Sequence, residues 1–349
     1  MHKAISLIEF KLCGQIIKRH PEYGMDDRLM LHLIDTKKGT ITIDGKEYEL
    51  LDKFLPSLNT QDDPYALCPR EQEVMDQLSH SFRHSERLQA HLRLLLQKGS
   101  LFSVNNNILM FHAAVPMNED GTFQEVLVDG EMVKGRKLME KVDQVVRRAY
   151  FAPRGSVEKS NALDYMFYLW QGPQSPLFNK DKMTTFERYF IDAPELYKEK
   201  KGAFFVLANQ RKACEDILRE FGLDPSQSHI VNGHVPVRTN KGESPLRAEG
   251  MRLVIDGGFS KPYHETTGIS GYTLIYNSHG LQLVEHEMFE SKDKAIKSGS
   301  DIHSRVQLED FKYHRMLVRD TDQGRELLKQ IANLQKLLLA YKHGIIKER

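Results

Sequence analysis

The chain has 349 residues, 40% of them hydrophobic, which is enough length and apolar content for one large domain or two ordinary ones and excludes a disordered polymer. Its 49 basic and 48 acidic residues nearly cancel, so no global field would hold it on nucleic acid or an anionic membrane, and any anion must be bound locally. Cys13, Cys68 and Cys214 are odd in number and far apart, which excludes a disulfide framework or a CxxC pair and points to a reducing cytoplasm.

The chain opens directly on Ile5, Ile8, Leu12 and Ile16, whose three- and four-residue spacing predicts an amphipathic helix. No capping residue or loop precedes it, so the opening reads as the middle of a domain and the fold is expected to be incomplete at its N-terminus. Charges inside this stretch are wrong for a signal peptide, and no run reaches the roughly 18 apolar residues of a spanning helix, so a soluble, unexported chain is expected.

Next, TITIDGKEYELL alternates around Asp44-Gly45, the pattern of a hairpin whose turn needs positive φ. From Pro69 to Lys98 the residues Val74, Leu78, Phe82, Leu88, Leu92 and Leu95 predict a long helix, broken near Ser85 and stopped by a left-handed Gly99. LFSV and ILMF then read as strands joined through Asn105, Asn106 and Asn107, with His112 at the end of the second. Helical and loop sequence follows to about Tyr197. AFFVLA (203–208), HIVNG (229–233), MRLVID (251–256), YTLIY (272–276) and LQLVEH (281–286) predict further strands, which with the intervening helical sequence make a layered α/β architecture with mixed sheets. Leu327, Leu328, Ile331, Leu334, Leu337, Leu338 and Tyr341 predict a last helix, docked on the body or on a partner subunit.

His112 and His234 each follow an apolar strand and lead into small residues. Strand ends are where sites form in α/β sheets, and neutral imidazole is a ligand for divalent transition metals. Either histidine alone is better read as a satisfied, partly buried side chain at a strand terminus, and the pair is the more specific signal. The basic residues Arg238, Lys241, Arg247 and Arg252 follow His234 closely, with Lys261 after the GGF turn, and as a group they are candidates for holding phosphate, arginine giving bidentate contacts. Singly, each suits a solvated face. Neither GxGxxG nor GxxxxGK is present, and aromatics are not interleaved with a basic patch, so neither a nucleotide fold nor nucleic-acid binding is expected.

The order of an apolar strand ending in His112, then LWQGP (169–173), then VNGH ending at His234 resembles the later motifs of calcineurin-like metallophosphoesterases. More narrowly, LWQGPQSPLFNKDKMTTFERYFI (169–191) and IDGGFSKPYHETTGISGYTLIYNSHGL (255–281) resemble class III fructose-1,6-bisphosphatases, and the chain looks like the C-terminal half of such an enzyme. The resemblance implies a layered α/β/β/α sandwich, a two-metal manganese site, hydrolysis of fructose 1,6-bisphosphate, and His112 and His234 as ligands of one of the two metals. The family's early Asp-x-His, Gly-Asp-x-x-Asp and Gly-Asn-His words are absent. Asp26, Asp27 and Asp256 stand in no matching motif and read as solvated or capping carboxylates.

The division expected is therefore 1–99, a helical and β-ribbon segment from the middle of the parent domain; 100–290, the second half of the metallophosphoesterase core with a helical insertion at about 113–168; and 291–349, a helical tail. The chain alone would be inactive, needing a separate N-terminal half or acting as a homo-oligomer. The alternatives are a non-catalytic fragment and another metallophosphoesterase such as a protein phosphatase, where the LW-x-x-P word also occurs.

Overall fold

The computed structural model describes residues 2–53, 55, 57–58, 63–256, 258, 260–268, 271–286, 291–299, 304–311 and 314–346; the side chains of residues 304–311 and of Lys261, Pro262 and His264 lie outside that description. The chain divides into two compact units, one of residues Met1–Leu101 with Ala113–Leu207 and one of Phe102–His112 with Ala208–Arg349.

The first unit begins with α1 (His2–Arg19). Its buried line runs through Leu7, Ile8, Lys11, Gly14 and Ile17, while Ile5 is exposed, so the face is rotated from the one the apolar spacing marks. The reason is Lys11, which apolar spacing cannot detect. Its ammonium donates to Glu71 at 2.8 Å and to the Ser57 carbonyl at 2.6 Å, satisfying a charge that burial would otherwise penalise. Gly14 packs so closely on Tyr65 that a Cβ there would lie 2.0 Å from the ring, which no larger residue would allow.

The strands β1 (Ile34–Asp35), β2 (Thr40–Ile43) and β3 (Lys46–Glu49) form an antiparallel sheet. Its β2–β3 turn is the expected one, with Asp44 at φ 50° and Gly45 at φ 78°. The long helical stretch is broken at Ser85 as expected, into α2 (Pro69–His84) and α3 (Glu86–Lys98), and Ser85 caps the second. Gly99 ends α3 in an extended conformation, φ −81°, so the left-handed stop is corrected. Glycine serves there through contact, since a Cβ would lie 2.5 Å from the Leu95 carbonyl oxygen.

The next strands are β4 (Phe102–Asn105) and β5 (Ile108–Phe111), which belong to the second unit and turn through Asn106 and Asn107, both at positive φ. Back in the first unit, the stretch expected to be a helical insertion carries a hairpin as well, β6 (Val126–Val128) and β7 (Glu131–Val133). Helices α4 (Gly135–Phe151) and α5 (Val157–Gln171) pack beside it around Val126, Val133, Leu138, Val142, Tyr165 and Tyr168. Two short helices follow, α6 (Thr185–Phe190) and α7 (Phe204–Leu207). AFFVLA is thus helical and not a strand: Phe204 and Ala208 are buried while Val206 is 64% exposed, a period of four that a run this short does not reveal.

In the second unit, α8 (Arg211–Glu220) buries Ala213, Cys214, Ile217 and Leu218. The strands β8 (His229–Asn232), β9 (Leu246–Arg247) and β10 (Arg252–Val254) complete a five-stranded sheet ordered β4-β5-β8-β10-β9, in which β5, β8 and β10 are parallel neighbours. After α9 (Lys261–Thr267), the strands β11 (Gly271–Asn277), β12 (Gly280–His286) and β13 (Ser304–Phe311) make an antiparallel sheet. The stretch expected to be a helical tail therefore contributes a strand besides α10 (Lys292–Ser298) and α11 (Asp322–Lys342). Ile108, Val231, Leu253 and Leu281 form one core cluster of this unit. The apolar stripe of α11 is uncovered, Leu327, Ile331, Leu334 and Leu338 among its exposed residues. No described helix is long and apolar enough to cross a membrane.

Candidate functional site

The parallel strands β5, β8 and β10 lead into His112, Gly233-His234 and Asp256 at their carboxyl ends. Parallel pairing places successive tips side by side, and that edge is where α/β sheets present ligand sites. The pairing continues past the strands, since Gly233 N–H donates to the His112 carbonyl at 2.8 Å and Ile255 N–H to the Asn232 carbonyl at 2.9 Å.

His112 and His234, 122 residues apart in sequence, converge here. His112 Nε2 lies 3.2 Å from His234 Nδ1, with ring centroids 5.1 Å apart and planes at 76°. His234 sits at φ 71°, a left-handed conformation that costs a residue with a Cβ on the order of 1–2 kcal/mol. That strain turns the ring back toward His112. His112 is exposed and His234 half-buried, so the pair opens to solvent.

A divalent ion is a fit for this donor pair. Two imidazole nitrogens each about 2.1 Å from one ion, and close to a right angle apart, are separated by about 3 Å, and the observed spacing is of that size. Imidazole favours zinc, iron or nickel over manganese, which prefers oxygen. Among the described residues no group of three or more His, Cys, Asp or Glu is arranged to hold a metal.

Asp256 is a local cap, as the sequence suggested: its Oδ1 accepts from Gly258 N–H at 3.1 Å. Its place at the third parallel tip was not recognised from sequence, although it follows an apolar strand just as the histidines do. A Cβ on Gly233 would lie 3.5 Å from that of Asp256, so the aspartate lines the same edge.

The basic candidates fare differently. Arg252 is corrected: it is 5% exposed and spends its guanidinium inside the unit, on the Ala208 carbonyl at 2.9 Å, Asn232 Oδ1 at 3.1 Å and Asn209 Oδ1 at 3.0 Å. Burial pushes it down to about 10, still charged at neutral pH. It braces the strand tip ahead of His234 and is turned away from any phosphate in solvent. Arg238 is exposed and donates to Glu243 at 2.9 and 2.6 Å, and Arg247 lies 3.6 Å from the same carboxylate. Burial opposes ionisation of Glu243, but the Arg238 N–H and guanidinium outweigh it and hold the carboxyl below its usual range. Lys241 is exposed in the turn Thr239–Lys241 with no ion pair among the described residues, and the Lys261 side chain lies outside them.

The chain is thus a mixed α/β protein that brings two imidazoles together at the carboxyl ends of adjacent parallel strands. The family described as Firmicute fructose-1,6-bisphosphatase matches residues 1–343, and the chain belongs to that family. It is similar to the proteins named fructose-1,6-bisphosphatase class 3 of Phocaeicola vulgatus (52% identical over 350 residues) and Parabacteroides distasonis (51% over 349 residues), in each case over all of this chain and 52% of the relative. The class 3 protein of Alkaliphilus metalliredigens is 50% identical over 351 residues, again over all of this chain and 53% of the relative. The chain thus spans about half the length of the curated relatives it matches. No solved structure matches it.

Proposed function

We propose that this chain is part of a cytoplasmic fructose-1,6-bisphosphatase of the calcineurin-like, two-metal type, and that it supplies two imidazole ligands to one divalent ion. The reaction converts fructose 1,6-bisphosphate and water to fructose 6-phosphate and phosphate, a gluconeogenic step. The 3.2 Å approach of His112 to His234 carries this reading, since two ring nitrogens from distant segments meet at an open sheet edge, one of them on strained backbone. The names of the relatives support the substrate.

In this reading His112 and His234 hold the ion with the lone pairs of Nε2 and Nδ1, which must be free of protons for the purpose. Manganese, when bound with its partner ion, activates water and neutralises charge on the phosphoryl oxygens. The exposed Arg238 and Lys241, with Arg247 and Lys261, remain the candidates to hold the second phosphate. Arg238 and Arg247 would exchange Glu243 for it. Among the described residues Asp256 is the carboxylate at this edge, and the remaining ligands of this chemistry would come from outside them.

The test is phosphate release from fructose 1,6-bisphosphate by the purified 349-residue chain with added manganese. Little or no turnover is expected. Robust turnover would refute the incomplete centre, and release from a phosphopeptide but not the sugar would refute the substrate.

A further inference from the structure

Helix α11 is anchored firmly at its root. Thr321 caps it, accepting from Gly324 N–H at 3.1 Å. Asn106 N–H, in the β4–β5 turn, donates to Asp322 Oδ2 at 2.6 Å, and Asp322 N–H returns the bond to Asn106 Oδ1 at 2.9 Å. A Cβ on Gly324 would collide with the Val318 carbonyl oxygen, so the chain is closed tightly around the first turn. Past that turn, every residue from Arg325 to Leu339 is exposed. A helix of 21 residues is marginal by itself in water, and one that shows a continuous apolar stripe calls for a cover.

The pattern of the stripe narrows what covers it. Leu327, Ile331, Leu334, Leu338 and Tyr341 step alternately by four and three, the seven-residue repeat of a coiled-coil seam with Ile or Leu at its first four layers. The positions flanking that seam are Leu328, Gln330, Gln335 and Leu337, all uncharged, while Lys329 and Lys336 lie on the opposite side of the helix. Charges at the flanks are what select a different partner helix or forbid a like one. With none there, two identical seams meet without opposing like charges. The seam residues and the two flanking leucines are each 42–64% exposed, which amounts to roughly 600 Å² of apolar surface per copy. Two copies would therefore bury about 1,200 Å², the lower end of a specific interface.

We propose that α11 pairs with the α11 of a second copy of this chain as a two-helix coiled coil. The proposal is independent of the histidine pair and stands whether or not the chain binds metal.

The experiment is sedimentation velocity of the full chain from about 1 to 100 µM, which spans the dissociation constants of small interfaces. A reversible monomer–dimer equilibrium is expected. Leu334→Glu and Leu338→Lys each put a charge into the seam and should weaken it about ten-fold or more. Both positions are exposed in the single chain, so the variants should keep the cooperative melting of the body. Lys336→Glu, on the opposite side, should leave the equilibrium within about two-fold of the parent. A parent that stays monomeric at the highest concentration would overturn the proposal and leave the stripe to a different protein. A dimer that persists in folded Leu334→Glu and Leu338→Lys chains, or one that Lys336→Glu weakens as much, would overturn it as well.

Discussion

Arg252 donates to the side-chain oxygen of Asn232 at 3.1 Å across the β8–β10 pair, two residues before His234. A buried guanidinium thus braces the strand end from which that histidine departs. Arg252→Lys keeps the charge but not the fork that reaches three acceptors; Asn209 is exposed and the Ala208 carbonyl keeps the Cys214 thiol at 3.3 Å, so the loss falls on the buried side-chain oxygen of Asn232. The expected cost is roughly 1–3 kcal/mol by urea unfolding, that of one buried group deprived of its donor. A loss under about 0.5 kcal/mol, the size of an ordinary surface change, would show the bracing to be unimportant.

The imidazole pair predicts an order of metal affinities. With two nitrogens and few oxygens offered, zinc or nickel should bind the isolated chain at least about ten-fold more tightly than manganese, following the usual ranking of divalent ions. His112→Ala and His234→Ala should each remove that binding, as measured by equilibrium dialysis with metal analysis. Retention of zinc in both variants would place the ion elsewhere.

Lys11 and Glu71 form a buried ion pair, with side chains 1% and 9% exposed. Burial opposes ionisation of Glu71, but the Lys11 ammonium and the Cys68 N–H outweigh it and hold the carboxyl below its usual value. Lys11→Met leaves that carboxylate buried without its cation, at an expected cost of about 3–5 kcal/mol. Because the folded value is depressed, the stabilisation from Glu71 is full above the ordinary carboxylate range and lost as pH falls through the lower, folded one. Acid unfolding of the parent should therefore show this contribution, and that of Lys11→Met should lack it.

Burial pushes the Cys214 thiol up to about 11 and the Cys13 thiol up to about 12. Ionisation is suppressed in the fold, so their stabilising contribution is complete below the ordinary thiol value near 9 and is lost as pH rises through the raised values. Thermal melting should fall steeply above about pH 9. At pH 8 the Cys214 thiolate fraction is about a thousandth, so its alkylation should be roughly a hundred-fold slower than in the urea-unfolded chain. Equal rates in the folded and unfolded chain would contradict the burial.

Local backbone chemistry was legible in particular residues. Asp44-Gly45 and Asn106-Asn107 tolerate positive φ, and both turn where that chemistry requires. The runs HIVNG, MRLVID, YTLIY and LQLVEH are strands because a buried sheet strand is a short apolar run bounded by polar or glycine residues. AFFVLA and Gly99 were misread since a six-residue apolar run fits two periods and a terminal glycine is selected either by φ or by a close carbonyl.

By itself, then, the sequence determined the turns, most strands, the two candidate imidazoles and the family words around them, because each depends on neighbours within a few residues. Only the tertiary structure decided that β5 and β8 run parallel and adjacent, which brings His112 to His234, and that Arg252 and Lys11 lie inside while Arg238 lies outside. Strand order and the pairing of a buried charge are set by contacts between residues tens to more than a hundred positions apart. No local pattern of polarity encodes them.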